Sequence, residues 1–218
     1  VNVFIRSQHR FHESGDLPNL IDTHPLGTWV QPAPDDLQIT HVPFALDRSR
    51  GSQGTLVGHV ARTNPVWRSL EGGTPSVVVF HGPQAYITPG WYPGKATHGQ
   101  VVPTWNYVVV HAHGVARAVH EASWKRAMLD RLTQAHEAAQ PNPWRVSDAP
   151  ADYIDRMLRA IVGIELPIDR LEGKLKASQD EDLHDRLGTI VGLQRSENPA
   201  SRAMGVWVAA ALDSEKNS

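Results

Sequence analysis

From Leu26 onward the chain is written in short extended runs, and no other feature constrains its fold as strongly. Leu26 to Gln31, Gln38 to Leu46, Gly54 to Ala61, Pro75 to Gly82 and Thr104 to His120 are rich in β-branched and aromatic residues. Turn-forming clusters separate them, such as Gln31-Pro32-Ala33-Pro34-Asp35 and Arg50-Gly51-Ser52-Gln53-Gly54. The 16 prolines and 17 glycines fit many turns between short elements, and short antiparallel strands with tight connections predict a barrel or sandwich.

Helical spacing flanks and interrupts this pattern. Leu17, Leu20 and Ile21 predict one short helix that ends before His24-Pro25, where proline disfavours further helix. From Ser123 to Ala139, Trp124, Met128, Leu132 and Ala135 form a stripe with Lys125, Arg126, Asp130 and Arg131 largely elsewhere, which predicts an amphipathic cover. A second helix is expected near Asp148, with Pro150 in its first turn and Ile154, Met157, Leu158 and Ile161 on one face. Ile161 to Lys174 then reads as a strand returning to the sheet. Leu183, Leu187, Ile190 and Val191 mark a further helix, Pro199 to Leu212 a last one, and Asp213 to Ser218 a frayed tail. The expected class is α+β, mainly β, with peripheral helices and a helical C-terminal portion. Its parts are a barrel core over 1–120, a helical excursion over 121–160, a returning strand and closing motif over 161–180, and C-terminal helices and tail over 181–218.

Composition narrows the function. A chain of 218 residues with 40% hydrophobic and 20% charged residues is ordinary for a globular protein. The formal charge of −2 gives no global field toward nucleic acid or an anionic membrane, so any DNA contact has to be local. No apolar run approaches a bilayer-spanning length, and Val1 to Arg10 are too polar for a signal peptide, so no membrane association and a cytoplasmic location are expected. The absence of cysteine removes thiolate chemistry, disulfides and thiolate metal sites.

Several segments have chemistry to offer. Gly58-His59-Val60-Ala61-Arg62-Thr63-Asn64-Pro65 places a guanidinium, a hydroxyl and an amide in succession after a strand, a combination suited to phosphate, although an Asn-Pro turn with a solvated arginine is the commoner reading of such a loop. On Ile39 to Phe44, Thr40, Val42 and Phe44 point one way and His41 and Pro43 the other, so a polar ligand chain could lie there, although His41 also suits a satisfied barrel residue. Phe80 to Ile87, with Gln84 and Tyr86, brings amide and aromatic groups to an expected strand-turn-strand junction; a planar ring or ordinary hairpin packing both fit. Trp105, Tyr107, Val109, His111 and His113 share a face, but two imidazoles alone do not make a metal site and no metal is expected. Lys174 and Lys176 lie on one side of an extended segment and could face an anion or only water.

Six segments, in order, resemble the Pai-type FMN-binding negative transcriptional regulators: His24-Pro25-Leu26-Gly27-Thr28, Thr40 to Phe44, Gly58 to Trp67, Gly82 to Ile87, Val102 to Tyr107 and Glu172 to Gln179. The resemblance runs from about His24 to about Leu193. It implies an FMN-binding split β-barrel related to pyridoxamine-phosphate oxidases and flavin reductases, with FMN at a homodimer interface and both chains contributing to the pocket. On this basis Thr40, His41, His59, Arg62, Thr63, Asn64, Gln84, Tyr86, Lys174, Lys176 and Gln179 are the candidate cofactor contacts, with Arg62 on the phosphate helped by Lys174 or Lys176. A repressor acting on DNA or through a regulatory protein is the expected function, and an FMN-dependent oxidoreductase the alternative. No residue announces itself as a catalytic acid, base or nucleophile.

Overall fold

The computed structural model describes residues 3–11, 16–34 and 36–216; Val1 and Asn2 of the polar start, Asp35 of the first turn cluster and Asn217 and Ser218 of the expected tail lie outside them. The strands are β1 (Arg10–Phe11), β2 (Leu26–Pro32), β3 (Leu37–Pro43), β4 (Ala45–Asp47), β5 (Thr55–Ala61), β6 (Thr74–Ile87), β7 (Thr104–Val119) and β8 (Ile161–Lys176). The helices are α1 (Asp16–Thr23), α2 (Gly94–Thr97), α3 (Ala122–Glu137), α4 (Ala151–Ala160), α5 (Leu183–Gln194) and α6 (Pro199–Lys216). They fall into two compact units, a first of Pro18–Phe80 and His111–Leu171 and a second of Val1–Leu17, His81–Val110 and Glu172–Ser218.

Along the main path of the sheet the strand order is β3-β2-β6-β7-β8-β5-β4. In the first unit the pairing is antiparallel, with Trp29 opposite Thr40, Val30 opposite Val77, Leu46 opposite Leu56 and His59 opposite Gly163. Alternation along the strands sends Trp29, Val42, Val78, Ala112, Val162 and Ile164 inward, and Phe44 meets Phe80 edge-on at 6.4 Å. Helix α3 covers Val57 with Met128 and Leu132, while Ile154 and Leu158 of α4 pack with Val146. Of the expected stripe on α3, Ala135 is exposed.

Two strand expectations need correction. The run from Gln38 to Leu46 divides at Phe44, whose N–H turns to Pro25 O at 2.9 Å. The expected turn at Gly82-Pro83 is absent, because β6 continues through it to Ile87. Strand β2 pairs β6 only over Val77 to Val79, so on that side no partner needs the N–H that Pro83 lacks.

In the second unit β1 pairs β8, Arg10 opposite Lys174, and Phe11 meets Trp207 edge-on at 5.4 Å. Leu193, Met204 and Val208 are buried on α5 and α6. The expected helix is α5, on which Leu183, Leu187 and Val191 are exposed, whereas Asp185, Arg186, Thr189 and Leu193 are buried. Polar partners account for this, since Asp185 accepts the Gly94 N–H at 2.8 Å and Arg186 pairs with Glu215. Glu215 lies on α6, which continues to Lys216, so Asp213 to Lys216 are helical and not a frayed tail. The segment from Trp91 to Pro103 likewise carries α2. Among the described residues no helix is long and apolar enough to cross a membrane.

Strands β7 and β8 approach so closely at Gly114 that a Cβ there would lie 2.1 Å from Pro167 O, a backbone atom that cannot step aside. Gly114→Ala is expected to destabilise the protein by about 1–3 kcal/mol, the usual cost of overpacking, read as a lowered urea midpoint.

Candidate functional site

The loop after β5 is built on the end of α4. Helix α4 stops at Ala160 and the chain enters β8 at once, with Ile161 extended and no glycine to fold the last carbonyls back. Arg62 reaches those carbonyls: its backbone N–H donates to Ala160 O at 2.8 Å, its Nε to Arg159 O at 2.7 Å and its Nη2 to Ile161 O at 3.1 Å. Lys125 Nζ donates to Leu158 O and, at 3.4 Å, to Ile161 O. The sequence placed Lys125 among the outward charges of α3, but it is only 3% exposed, because the unpaired carbonyls at a helix C-terminus attract and satisfy a cation. Burial, and then the charge of Arg62, hold its ammonium below the ordinary lysine range. Neither cation has a carboxylate within ion-pair reach among the described residues. Guanidinium Nη1 of Arg62 makes no hydrogen bond among those residues and stays available to an anion.

The rest of the loop is a turn as well as a polar rim. Asn64 Oδ1 accepts the Val66 N–H at 3.0 Å and opens a 3-10 turn over Pro65–Leu70, Trp67 Nε1 donates to Arg62 O at 3.0 Å, and Thr63 is exposed. His59 sits on β5; burial holds its imidazole below the ordinary value, and its Nδ1 is buried without a hydrogen-bond partner among the described residues. Thr40 is half-buried and His41 exposed on β3. On β7, His111 and His113 have ring centroids 6.3 Å apart, and no group of three or more potential metal ligands occurs among the described residues.

The second unit holds the other candidates. Gln84 Oε1 accepts Trp105 Nε1–H at 3.0 Å, and the rings of Tyr86 and Trp105 lie 6.1 Å apart. Lys174 Nζ donates to Phe4 O at 3.1 Å and stands 5.3 Å from the centre of the Tyr107 ring. Lys176 Nζ donates to Thr104 Oγ1 and to Trp105 O at 3.2 Å. Gln179 closes its own turn, accepting the Ala177 N–H at 2.6 Å and donating to Leu175 O at 2.8 Å. The candidates therefore form two sets: Thr40, His41, His59, Arg62, Thr63 and Asn64 in the first unit, and Gln84, Tyr86, Lys174, Lys176 and Gln179 in the second.

Sequence reasoning gave no role to Lys125, nor to Arg6 and His9 beside the second set. Lys125 did leave a signal, because Lys125, Met128 and Leu132 recur at i, i+3 and i+7, a core spacing. Nothing in the local sequence marks Arg6 and His9, which join β8 only through the fold.

Strand order, covering helices and polar loop are those of a flavin-type split barrel. The chain belongs to the family described as "Putative FMN-binding domain", whose model matches residues 3–170, and its cofactor is FMN. An uncharacterized protein of Emericella nidulans is 32% identical, over 93% of this chain and 94% of its own. The protease synthase and sporulation protein PAI 2 of Bacillus subtilis is 27% identical, over 93% of this chain and 94% of its own. Among solved structures, the FAD and heme binding protein from Mycobacterium smegmatis superposes with a TM-score of 0.60 at 20% identity, covering 80% of this chain and 76% of that one. The flavocytochrome Anf3 from Azotobacter vinelandii gives 0.61 at 14% identity, covering 85% and 78%. These likenesses, with the mainly β sheet and its helices, establish the split-barrel fold.

If Lys125 caps α4, Lys125→Met should leave the Leu158 carbonyl buried and short of a donor. The expected cost is about 1–3 kcal/mol in urea unfolding, despite the gain of an apolar side chain.

Proposed function

We propose that this chain is a homodimeric, FMN-dependent negative regulator of the Pai type. The observation that carries this reading is the extent of its likeness to PAI 2. The family model stops at residue 170, yet that likeness covers 93% of the chain, so it includes part of the C-terminal helical portion as well as the FMN-binding part.

The first unit's residues fit the cofactor. Arg62 and Lys125 form a positive pair held by carbonyls, with the Arg62 guanidinium also 5.9 Å from the centre of the Trp67 ring and no carboxylate cancelling the charge, as a phosphate site requires, and Arg62 Nη1 with the exposed Thr63 would contact it. The orphaned His59 Nδ1 and the polar edge of Thr40 and His41 suit a hydroxylated chain such as ribityl. FMN, when bound, supplies the redox chemistry of its ring. The protein's part is to bind and orient it and to hold His59 neutral.

The homodimer is supported by an open sheet face. Leu26, Leu37 and Ile39 are 58%, 59% and 60% exposed on β2 and β3, and Leu37 and Ile39 lie on the outward face of a strand at the end of the sheet. A second copy would cover them. With a net charge of −2, contact with DNA would be local or made through a regulatory protein.

Arg62→Ala is expected to weaken FMN roughly tenfold to a few hundredfold and riboflavin far less, since only the phosphate contact is lost. Flavin fluorescence titration on variant protein shown to be folded measures both. Equal weakening of the two flavins would make Arg62 a structural residue only. In a strain lacking the gene, the wild-type chain should restore repression of its target transcripts and Arg62→Ala should not. Oxidation of NADH or NADPH by the FMN-loaded protein, with transcripts unchanged, would make it an oxidoreductase instead. Ile39→Lys is expected to yield a folded monomer at micromolar concentration in sedimentation velocity; an unchanged dimer would place the interface elsewhere.

A further inference from the structure

We infer that the exposed face of α5 is a self-association surface, on which the α5 of a second copy of this chain packs antiparallel about a two-fold axis. This contact goes beyond the homodimer proposed through β3 and uses none of Leu26, Leu37 and Ile39.

Helix α5 buries polar residues and shows apolar ones. Leu183, Leu187 and Val191 are 53%, 45% and 44% exposed. They recur at i, i+4 and i+8, so they form one stripe along the helix. The opposite side is fixed in place: Asp185 accepts the Gly94 N–H, Arg186 pairs with Glu215, and Thr189 and Leu193 are buried. The helix therefore cannot turn to bury the stripe within its own chain. Beside the stripe, Trp91 lies against the glycines of α5, where a Cβ on Gly192 would fall 2.2 Å from its ring and one on Gly188 2.0 Å from its carbonyl oxygen. Trp91, these glycines, Leu187 and Val191 line a groove of about 620 Å³. An apolar ridge next to an apolar groove is what one helix offers another.

The order of residues selects a second copy as the occupant. The stripe is symmetric about Leu187, with a leucine four residues before it and a valine four residues after it. Laid antiparallel on itself about an axis at Leu187, it sets Leu187 against the partner's Leu187 and Leu183 against the partner's Val191. Charge agrees with that direction. Glu181 and Asp182 precede α5, and Arg195, exposed at its other end, has no carboxylate within ion-pair reach among the described residues. Antiparallel pairing carries each Arg195 toward the acidic end of the other helix and opposes the two helix dipoles, whereas parallel pairing would bring like charges together.

One stripe and one groove from each copy make a contact smaller than the roughly 1,200 Å² of a standard stable interface, so its Kd is on the order of 100 µM. At that strength it joins chains only in concentrated solution, and it leaves the micromolar behaviour expected of Ile39→Lys unchanged.

The chain has no cysteine, so single cysteines report the register directly. Under a mild oxidant Leu187→Cys should cross-link to itself, because the two copies of this position meet on the axis. Leu183→Cys should not, since the two copies of position 183 lie about 12 Å apart along the helices, beyond the reach of a disulfide. Mixed with Val191→Cys it should give the cross-linked heteropair. All three positions are exposed, so the variants should fold and bind FMN as the wild type does. In sedimentation velocity the wild-type mass should double as concentration rises from micromolar to several hundred micromolar, and the mass of Leu187→Glu should not. No rise in the wild-type mass, an equal rise in Leu187→Glu, or self-cross-linking of Leu183→Cys as readily as of Leu187→Cys would overturn the inference. The starting mass tests the β3 homodimer separately: two chains rising to four support both contacts, while one rising to two supports the α5 contact and counts against the β3 interface.

Discussion

Where α4 gives way to β8, the carbonyls of Leu158, Arg159 and Ile161 need donors that the backbone cannot supply, and Arg62 and Lys125 provide them. One interaction thus ties the loop after β5, the first turn of α3, the end of α4 and the start of β8 together. Burying an ammonium is tolerable only with such partners, and carbonyl dipoles, unlike carboxylates, leave the positive charge uncancelled. The fold therefore stores a positive potential beside Arg62, and an anion bound there relieves it. Such an anion would stabilise the folded state by mass action, and under the proposed use of Arg62 for the FMN phosphate, FMN binding and the integrity of this corner would be coupled.

The sheet was legible because its strands alternate, and alternation follows from the two-residue period of extended chain. Val42 and Phe44 inward with His41 and Pro43 outward is what β3 and the residue after it show. The mistakes arose where tertiary partners override local chemistry. Gly82-Pro83 looks like a turn, yet the strand runs through it, beyond the stretch where β2 pairs β6 and would need the N–H that Pro83 lacks. Lys125 was placed by its charge and not by its spacing. On α5 the apolar residues mark the helix but not its buried face, since Asp185 and Arg186 find their partners in Gly94 and Glu215, far along the chain. Of the candidate site the sequence offered residue types suited to an anion, Arg62 and Lys174 among them; which carbonyl each meets depends on the fold and was not legible.

The second unit is organised by buried polar groups as much as by apolar ones. Asn106, fully buried on β7, donates to Ser178 Oγ at 2.8 Å and anchors the turn after β8, where Ser178 holds a left-handed φ of 60°. Gln179 closes the same turn on Leu175 and Ala177, which sets where β8 ends and so where Lys176 points. Tyr92 lies buried close to this network, its hydroxyl pushed up to about 12 by burial and by Glu181 and Asp185, so it stays a neutral donor at any physiological pH.

Strand β7 carries a consequence for how this chain can change. Over Trp105 to Ala116 its side chains alternate without a break, with Asn106, Val108, Val110, Ala112 and Ala116 inward and Trp105, Tyr107, His111 and His113 on the other face. A single residue inserted or deleted midway would turn every side chain beyond it to the opposite face, exchanging methyl groups for imidazoles in the interior. Changes of length in this strand are therefore confined to pairs of residues or to its ends, whereas the outward positions can be exchanged one at a time. The outward-facing chemistry of β7 is free to diverge by substitution while its length stays fixed.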